Sequence, residues 1–400
     1  MNNKKIYILT AVYPSKYSSV GTTPIVHYFA REWVKLGYDI HVFHIESCFP
    51  RIYYSVAKLF RGRISSLVGC DIATIEPKPY EEISDGVAIT HLTVKKVYPH
   101  TIISQKEANK IIDYMLCYCE KNGNPDYFVG HWDIPQLEIM PVLKDKTHAK
   151  IALVLHNNTF FNFEKIHGCD VRDKLAAFDA IGFRNPTSKE NFIMKYGESK
   201  KVFMAYSGVS NNFIKEGEKF GKRIYPPKMK DFIYVGTLIK RKYPAQVLKA
   251  LNKVYPDGDF RMVYIGEGGE RAAINAVENK GELVYTGRIN RTEIIEYLKK
   301  ADVFVMISRD ELFGLVYLEA MAFGCIPIAS RKEGMDGIVK DGYNGFLCEA
   351  GNVDELVDII DRINAMSEEE KLEISRQAKE TAQQYSDANV AKMYIDQLFN

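Results

Sequence analysis

Short apolar runs alternate with amphipathic stretches of helical period along the whole chain. The clearest example is Ala301 to Ser330. Val303 to Ile307 is a β-branched apolar run of strand length, broken by the charged tripeptide Arg309, Asp310 and Glu311. From Gly314, the residues Leu315, Leu318, Ala322 and Phe323 recur at helical spacing. Gly324 and Pro327 close that helix before a further strand at Ile326 to Ala329. Strand, loop, helix and strand follow in that order. In an open α/β sheet such a loop lies outside the carboxyl ends of the strands, where a helix N-terminus presents free amides and partial positive charge. Glu311 and the amides of Phe313, Gly314 and Leu315 are placed there.

The same alternation fills both halves. Strands are predicted at Ile6–Val12, Ile40–Ile45, Tyr127–Gly130, Ile151–Leu155, Ala180–Phe183 and Val202–Ala205, then at Phe232–Val235, Arg261–Ile265 and Leu283–Tyr285. Helices fit between them, and Val353–Ala365, Glu368–Gln384 and Asp387–Phe399 close the pattern. Four hundred residues exceed one ordinary core. The expected organisation is α/β, two doubly wound Rossmann-like domains facing each other across a cleft. The first spans 1–212, a polar linker with Gly217, Gly221, Pro226 and Pro227 spans 213–230, and the second spans 231–385. The C-terminal helix, 386–400, is expected to pack back onto the first domain.

Composition narrows the function. With 53 basic and 51 acidic residues the net charge is +2, which gives no global reason to expect nucleic acid. Seven cysteines without zinc-finger or C-x-x-C spacing suit a reducing cytoplasm. No apolar run approaches the roughly 20 residues that span a bilayer. The segment 49–69 carries Arg51, Lys58, Arg61 and Arg63 without an acid, among apolar residues near helical spacing. Two readings stay open for it: a helix lying on an anionic membrane surface, or an ordinary surface helix. Gly21, in the Ser/Thr-rich loop after the first strand, can let backbone approach a phosphate, but no G-x-G-x-x-G nicotinamide fingerprint is present. Asp257-Gly258-Asp259 follows Pro256 and reads as a surface turn. All nine histidines precede residue 168 without paired spacing, so neither a metal site nor a cofactor is expected.

The sequence from Glu311 to Gly324, ELFGLVYLEAMAFG, resembles the signature of GT-B glycosyltransferases, specifically retaining glycosyltransferase family 4. The resemblance covers nearly the whole chain and is strongest over 232–351. Eight helical positions span roughly 12 Å, too far for Glu311 and Glu319 to act as the opposed carboxylates of a retaining glycosidase. The resemblance instead implies that Glu311 binds donor-sugar hydroxyls and Glu319 a ribose diol, with the Phe313, Gly314 and Leu315 amides at the diphosphate. The family's Gly-Arg-Leu and following Lys stand here as Gly236-Thr237-Leu238 and Lys242, so Arg241 or Lys240 would replace the absent arginine. Gly266 resembles the first glycine of the family's G-x-G, and Arg288-Ile289 the stretch beside the base. His156 resembles the strand-terminal histidine facing the donor sugar, and His131 is placed toward the acceptor.

The implied catalytic set is His156, Glu311 and Lys242. The implied reaction is metal-independent, retaining transfer of a hexose-type sugar from a nucleoside diphosphate sugar, UDP-linked in preference to GDP-linked. The acceptor would be a hydroxyl of a glycan or polyprenyl-linked carrier in bacterial capsule, exopolysaccharide or O-antigen synthesis. The expected place is the cytoplasm or the inner face of the plasma membrane. Two other readings remain: a non-catalytic GT-B partner subunit, and a nucleotide-sugar epimerase.

Overall fold

The computed structural model describes residues 4–17, 24–68, 74–97, 101–198 and 201–399. The chain forms two compact units. One consists of Met1–Arg184, Ser188–Tyr206 and Val390–Asn400, the other of Asn185–Thr187 and Ser207–Asn389.

The first unit is built on eight strands: β1 (Lys5–Thr10), β2 (Asp39–Cys48), β3 (Tyr80–Ser84), β4 (Val87–Lys95), β5 (Tyr127–His131), β6 (Lys150–Leu155), β7 (Ala180–Phe183) and β8 (Lys201–Met204). Their order is β3-β4-β2-β1-β5-β6-β7-β8. Ile6, Ile8 and Leu9 are wholly buried, as continuous apolar strands of a sheet covered on both faces must be. The sheet is parallel except for the β3–β4 hairpin. Asp85 and Gly86 turn that hairpin, both with positive φ, as a two-residue turn matched to strand twist requires. The strand order reverses at β1, which puts the ligand-binding end of this sheet beside Thr10 and His131.

The helix Asp387–Phe399 sends Val390 onward into this unit. Tyr394 is fully buried, its ring 5.1 Å from Phe29, 4.9 Å from Trp33 and 5.1 Å from Phe203. Trp33 Nε1 donates to the Ala391 carbonyl, and the Tyr127 hydroxyl to that of Leu398. The basic segment is a helix, Arg51–Val68, with non-helical geometry at Phe60; Gly69 lies outside the described residues. Tyr54 and Ala57 face the core, whereas Ile52 and Leu59 are 75% and 78% exposed.

The second unit carries β9 (Asp231–Val235), β10 (Arg261–Ile265), β11 (Glu282–Gly287), β12 (Val303–Val305), β13 (Ile326–Ser330) and β14 (Phe346–Cys348). They form a parallel sheet in the order β11-β10-β9-β12-β13-β14, reversing between β9 and β12. The helix Leu315–Ala322 is buried from Tyr317 to Ala322, as a sequence apolar at every position but Tyr317 and Glu319 demands. Residues 213–230, expected as a linker, begin inside a helix, Asn211–Phe220. Arg223 is buried there and donates to the Leu298 and Phe323 carbonyls, so this stretch belongs to the packing of the second unit. Among the described residues, no helix is long and apolar enough to cross a membrane.

Candidate active site

At the reversal of the second sheet, β9 ends at Gly236 and the chain makes a short 3-10 turn, Lys240–Lys242. Pro244 then starts the next helix, a position where its missing N–H costs nothing. The turn brings Lys242 Nζ to 2.8 Å from Glu311 Oε2 and 3.8 Å from Met306 Sδ; the Lys242 and Glu311 side chains are only 13% and 14% exposed. The Glu311 loop is held from below. Its amide donates to Glu333 Oε2 at 2.8 Å, and the Gly334 amide donates to the Glu311 carbonyl at 2.8 Å. Burial raises the Glu333 pKa. Gly314, at φ +84°, caps the helix, and a Cβ there would lie 2.7 Å from the Tyr317 ring. The Tyr317 hydroxyl in turn donates to the Met306 carbonyl. A carboxylate and an ammonium are thus fixed beside the first-turn amides of Leu315–Ala322, which have no intrahelical acceptors.

The loops after β9, β10 and β11 are joined by backbone. Gly236 N donates to Ile265 O, Leu238 N to Glu267 O and Gly266 N to Gly287 O, each at 2.9 Å. Gly266 has φ +138°, and a Cβ on it would stand 2.0 Å from the Gly236 carbonyl oxygen. Only glycine allows that approach. Arg241 is held by backbone carbonyls. Its Nη1 donates to the carbonyls of Arg309 and Asp310 at 3.0 Å, and its own carbonyl accepts from Arg309 N. It ties the Lys242 loop to the Glu311 loop. Lys240 and Arg288 are exposed, Ile289 is half-buried and Phe313 is buried. Gly21 lies outside the described residues.

Glu319 is 2% exposed and ion-paired with Arg291, the first residue of the helix Arg291–Leu298. Arg291 also lies over the Phe213 ring, 5.6 Å from its centroid. Sequence reading missed Arg291, whose only signal is its place three residues after Arg288. The pair gives the buried Glu319 a counter-charge within the protein.

In the first unit, β5 ends at His131 and His156 follows β6, with His131 Nδ1 3.1 Å from His156 Nε2. His131 is completely buried, stacks on Phe29 and meets the Tyr394 hydroxyl at 3.4 Å. His131, expected toward an acceptor, is buried under the C-terminal helix, with its Nδ1 facing His156. The His156 ring stacks on Trp132 at 3.8 Å. Burial, then the charge of the buried Arg184, pushes both imidazoles well below their ordinary pKa, so both are neutral at pH 7. Burial lowers Arg184 itself to about 10. The next residue, Asp133, accepts from His167 at 2.7 Å, and Glu138 lies 3.6 Å from the other ring nitrogen. Burial lowers the His167 pKa, but these two carboxylates outweigh it and raise the pKa to about 9.

Known proteins agree with this architecture. Residues 216–384 match the family model for glycosyl transferases group 1. An uncharacterized glycosyltransferase of Methanocaldococcus jannaschii is 26% identical over 273 residues, 65% of this chain and 71% of its own. The N-acetyl-alpha-D-glucosaminyl L-malate synthase of Bacillus anthracis is 30% identical over 133 residues, 32% of this chain and 34% of its own, so the chain spans about a third of that relative. The solved sucrose-phosphate synthase from Thermosynechococcus elongatus is similar in fold over 99% of this chain and 98% of its own, with a TM-score of 0.68 at 18% identity. The chain has the two-domain GT-B fold of that structure, and residues 216–384, in its second unit, match glycosyl transferases group 1.

Proposed function

We propose that the protein transfers a hexose-type sugar from a nucleoside diphosphate sugar to an acceptor hydroxyl, with retention at the anomeric carbon and without a metal ion. The observation that carries this reading is the Lys242–Glu311 pair at the mouth of the helix Leu315–Ala322. The bond from the anomeric carbon to the diphosphate oxygen breaks, and its electron pair leaves with the diphosphate. The acceptor oxygen bonds to the same face of that carbon, and its proton passes to the departing phosphate. Lys242 and the helix amides take up the developing charge, a contribution of about 3 kcal/mol for one well-placed donor. Glu311 holds sugar hydroxyls, and His156 meets the sugar as a neutral imidazole.

UDP-linked donors are favoured over GDP-linked ones. The acceptor is a glycan or polyprenyl-linked carrier of a bacterial surface polysaccharide. A groove of about 1030 Å³ in the first unit, lined by Arg51, Lys95, Lys96 and Lys174 against Glu107 and Glu138, is large and polar enough for a sugar chain. Arg51, the first residue of the helix Arg51–Val68, lines it, which suits an acceptor presented at a membrane surface. Nucleotide release measured with UDP-, GDP- and ADP-sugars, with and without acceptor glycans, tests the proposal. Conversion of donor without acceptor would point to an epimerase, and wild-type turnover in both Lys242→Ala and Glu311→Ala would remove the assigned site.

A further inference from the structure

The first unit assembles another group of side chains, apart from His156. Positions 44 and 46 of β2 share a face of the sheet, and the parallel register sets His91 of β4 opposite His44. His44 Nδ1 and His91 Nδ1 are 2.9 Å apart. One ligating atom each from His44, Glu46 and His91 lie within 4.8 Å of one another. The histidines are 2% and 1% exposed. Glu46 is held on one side only: Oε1 accepts from Ser15 Oγ at 3.1 Å, while Oε2 is buried without a hydrogen-bond partner. His91 Nε2 lies 3.0 Å from Glu82 Oε1, and the His91 ring stacks on Tyr80 at 4.0 Å.

We propose that His44, Glu46 and His91 bind one divalent first-row transition ion, zinc being the occupant their chemistry favours. Two imidazole nitrogens each about 2.1 Å from a tetrahedral zinc ion stand about 3.4 Å apart, so the 2.9 Å pair has to part by about half an ångström to admit it. The Glu82 carboxylate accepts the Nε2–H of His91 and so turns the Nδ1 lone pair inward, the outer-shell arrangement that metal-bound histidines use. Two imidazoles with one carboxylate suit zinc and its neighbours and disfavour magnesium or calcium, which take oxygen ligands. Glu46 and Glu82 together balance the charge of a dication, with the Lys16 ammonium, over the Tyr80 ring at 3.8 Å, as an opposing charge. The unpartnered Glu46 Oε2 is the atom that a simple histidine–histidine hydrogen bond leaves unexplained. The ion joins β2 to β4 and, through Ser15, to the loop that follows β1. It takes no part in the transfer step at Lys242 and Glu311.

The test uses the full chain, stripped with a chelator and titrated with zinc against a chromophoric competitor. The wild type is expected to bind one equivalent and to rise in thermal midpoint on binding. Glu46→Gln and His91→Gln should lose both responses, and Glu82→Gln, with all three ligands intact, should weaken binding about 10- to 100-fold. Cobalt provides a readout independent of how well the variants fold: the wild type should show the intense visible bands of a four- or five-coordinate ion. Zinc binding unchanged in Glu46→Gln and His91→Gln, or a cobalt spectrum identical to that of the hydrated ion, would overturn the assignment.

Discussion

The Lys242 ammonium and the Glu311 carboxylate sit 2.8 Å apart, joining two loops that are 69 residues apart in sequence and largely screened from water. Under the proposed function, an anionic donor would share that ammonium with the carboxylate. Lys242→Ala is expected to lower kcat/KM about 10²- to 10³-fold, the usual loss of one preorganised donor to developing charge. Nucleotide-release kinetics check this, with the urea midpoint of the variant showing that the fold survives.

Arg291 and Glu319 form the second testable pair. Glu319 is 2% exposed, so Arg291→Ala leaves a buried carboxylate without its counter-charge. The expected loss is about 2 kcal/mol, below the figure for fully buried pairs because Arg291 is 38% exposed. Arg291→Ala with Glu319→Gln should recover at least half of it. Urea unfolding of the two single variants and the double variant gives the coupling, and strict additivity would show that the pair contributes nothing.

His167 predicts a pH dependence. Its folded pKa of about 9 lies above the ordinary value of 6.5, so its contribution is fully present below pH 6.5 and is lost as pH rises through 9. Between those values the native state holds one proton more than the unfolded chain, and stability falls with rising pH. Asp133 and Glu138 keep 14% and 13% exposure, which reduces the expected loss to about 2 kcal/mol. The gap in unfolding free energy between wild type and His167→Gln should be about 2 kcal/mol larger at pH 6 than above pH 9, a comparison that cancels the opposite titration of the buried His131 and His156.

Ile52 and Leu59 project from the helix Arg51–Val68 at 75% and 78% exposure. If this face meets a bilayer, each buried apolar side chain contributes about 2 kcal/mol and each basic residue about 1 kcal/mol. Ile52→Ser with Leu59→Ser should abolish co-flotation with phosphatidylglycerol vesicles and leave transfer to a soluble acceptor unchanged. Equal flotation of variant and wild type would assign these residues to another role.

The elements legible in the sequence are those with strong local chemistry. Val353–Ala365 and Glu368–Gln384 begin where Asn352 and Ser367 cap them and acids fill the first turn. Glu311, Gly314 and Glu319 were readable because strand, loop and helix follow one another directly. The β3–β4 hairpin was missed although Asp85-Gly86 is a strong turn signal, and His91 went unplaced with it. Spacing along the chain therefore gave no hint of a metal ligand set, since His44 and His91 are 47 residues apart and meet only across neighbouring strands. Arg184, Arg291 and the burial of His131 depend on long-range packing that no local pattern encodes. The charge of Arg241 was visible in the sequence, whereas its carbonyl partners, 68 and 69 residues away, were not.

The path of the chain through its two units constrains how the protein is made. Ser207–Asn389, with the short Asn185–Thr187 segment, builds the second unit, yet Tyr394, which fills the space among Phe29, Trp33 and Phe203, comes later. The unit begun first on the ribosome is consequently the last to be closed. Until residue 399 has emerged, an apolar face that includes a tryptophan and two phenylalanines stays open to water, and a nascent chain stalled before Val390 offers that face to whatever chaperone attends it.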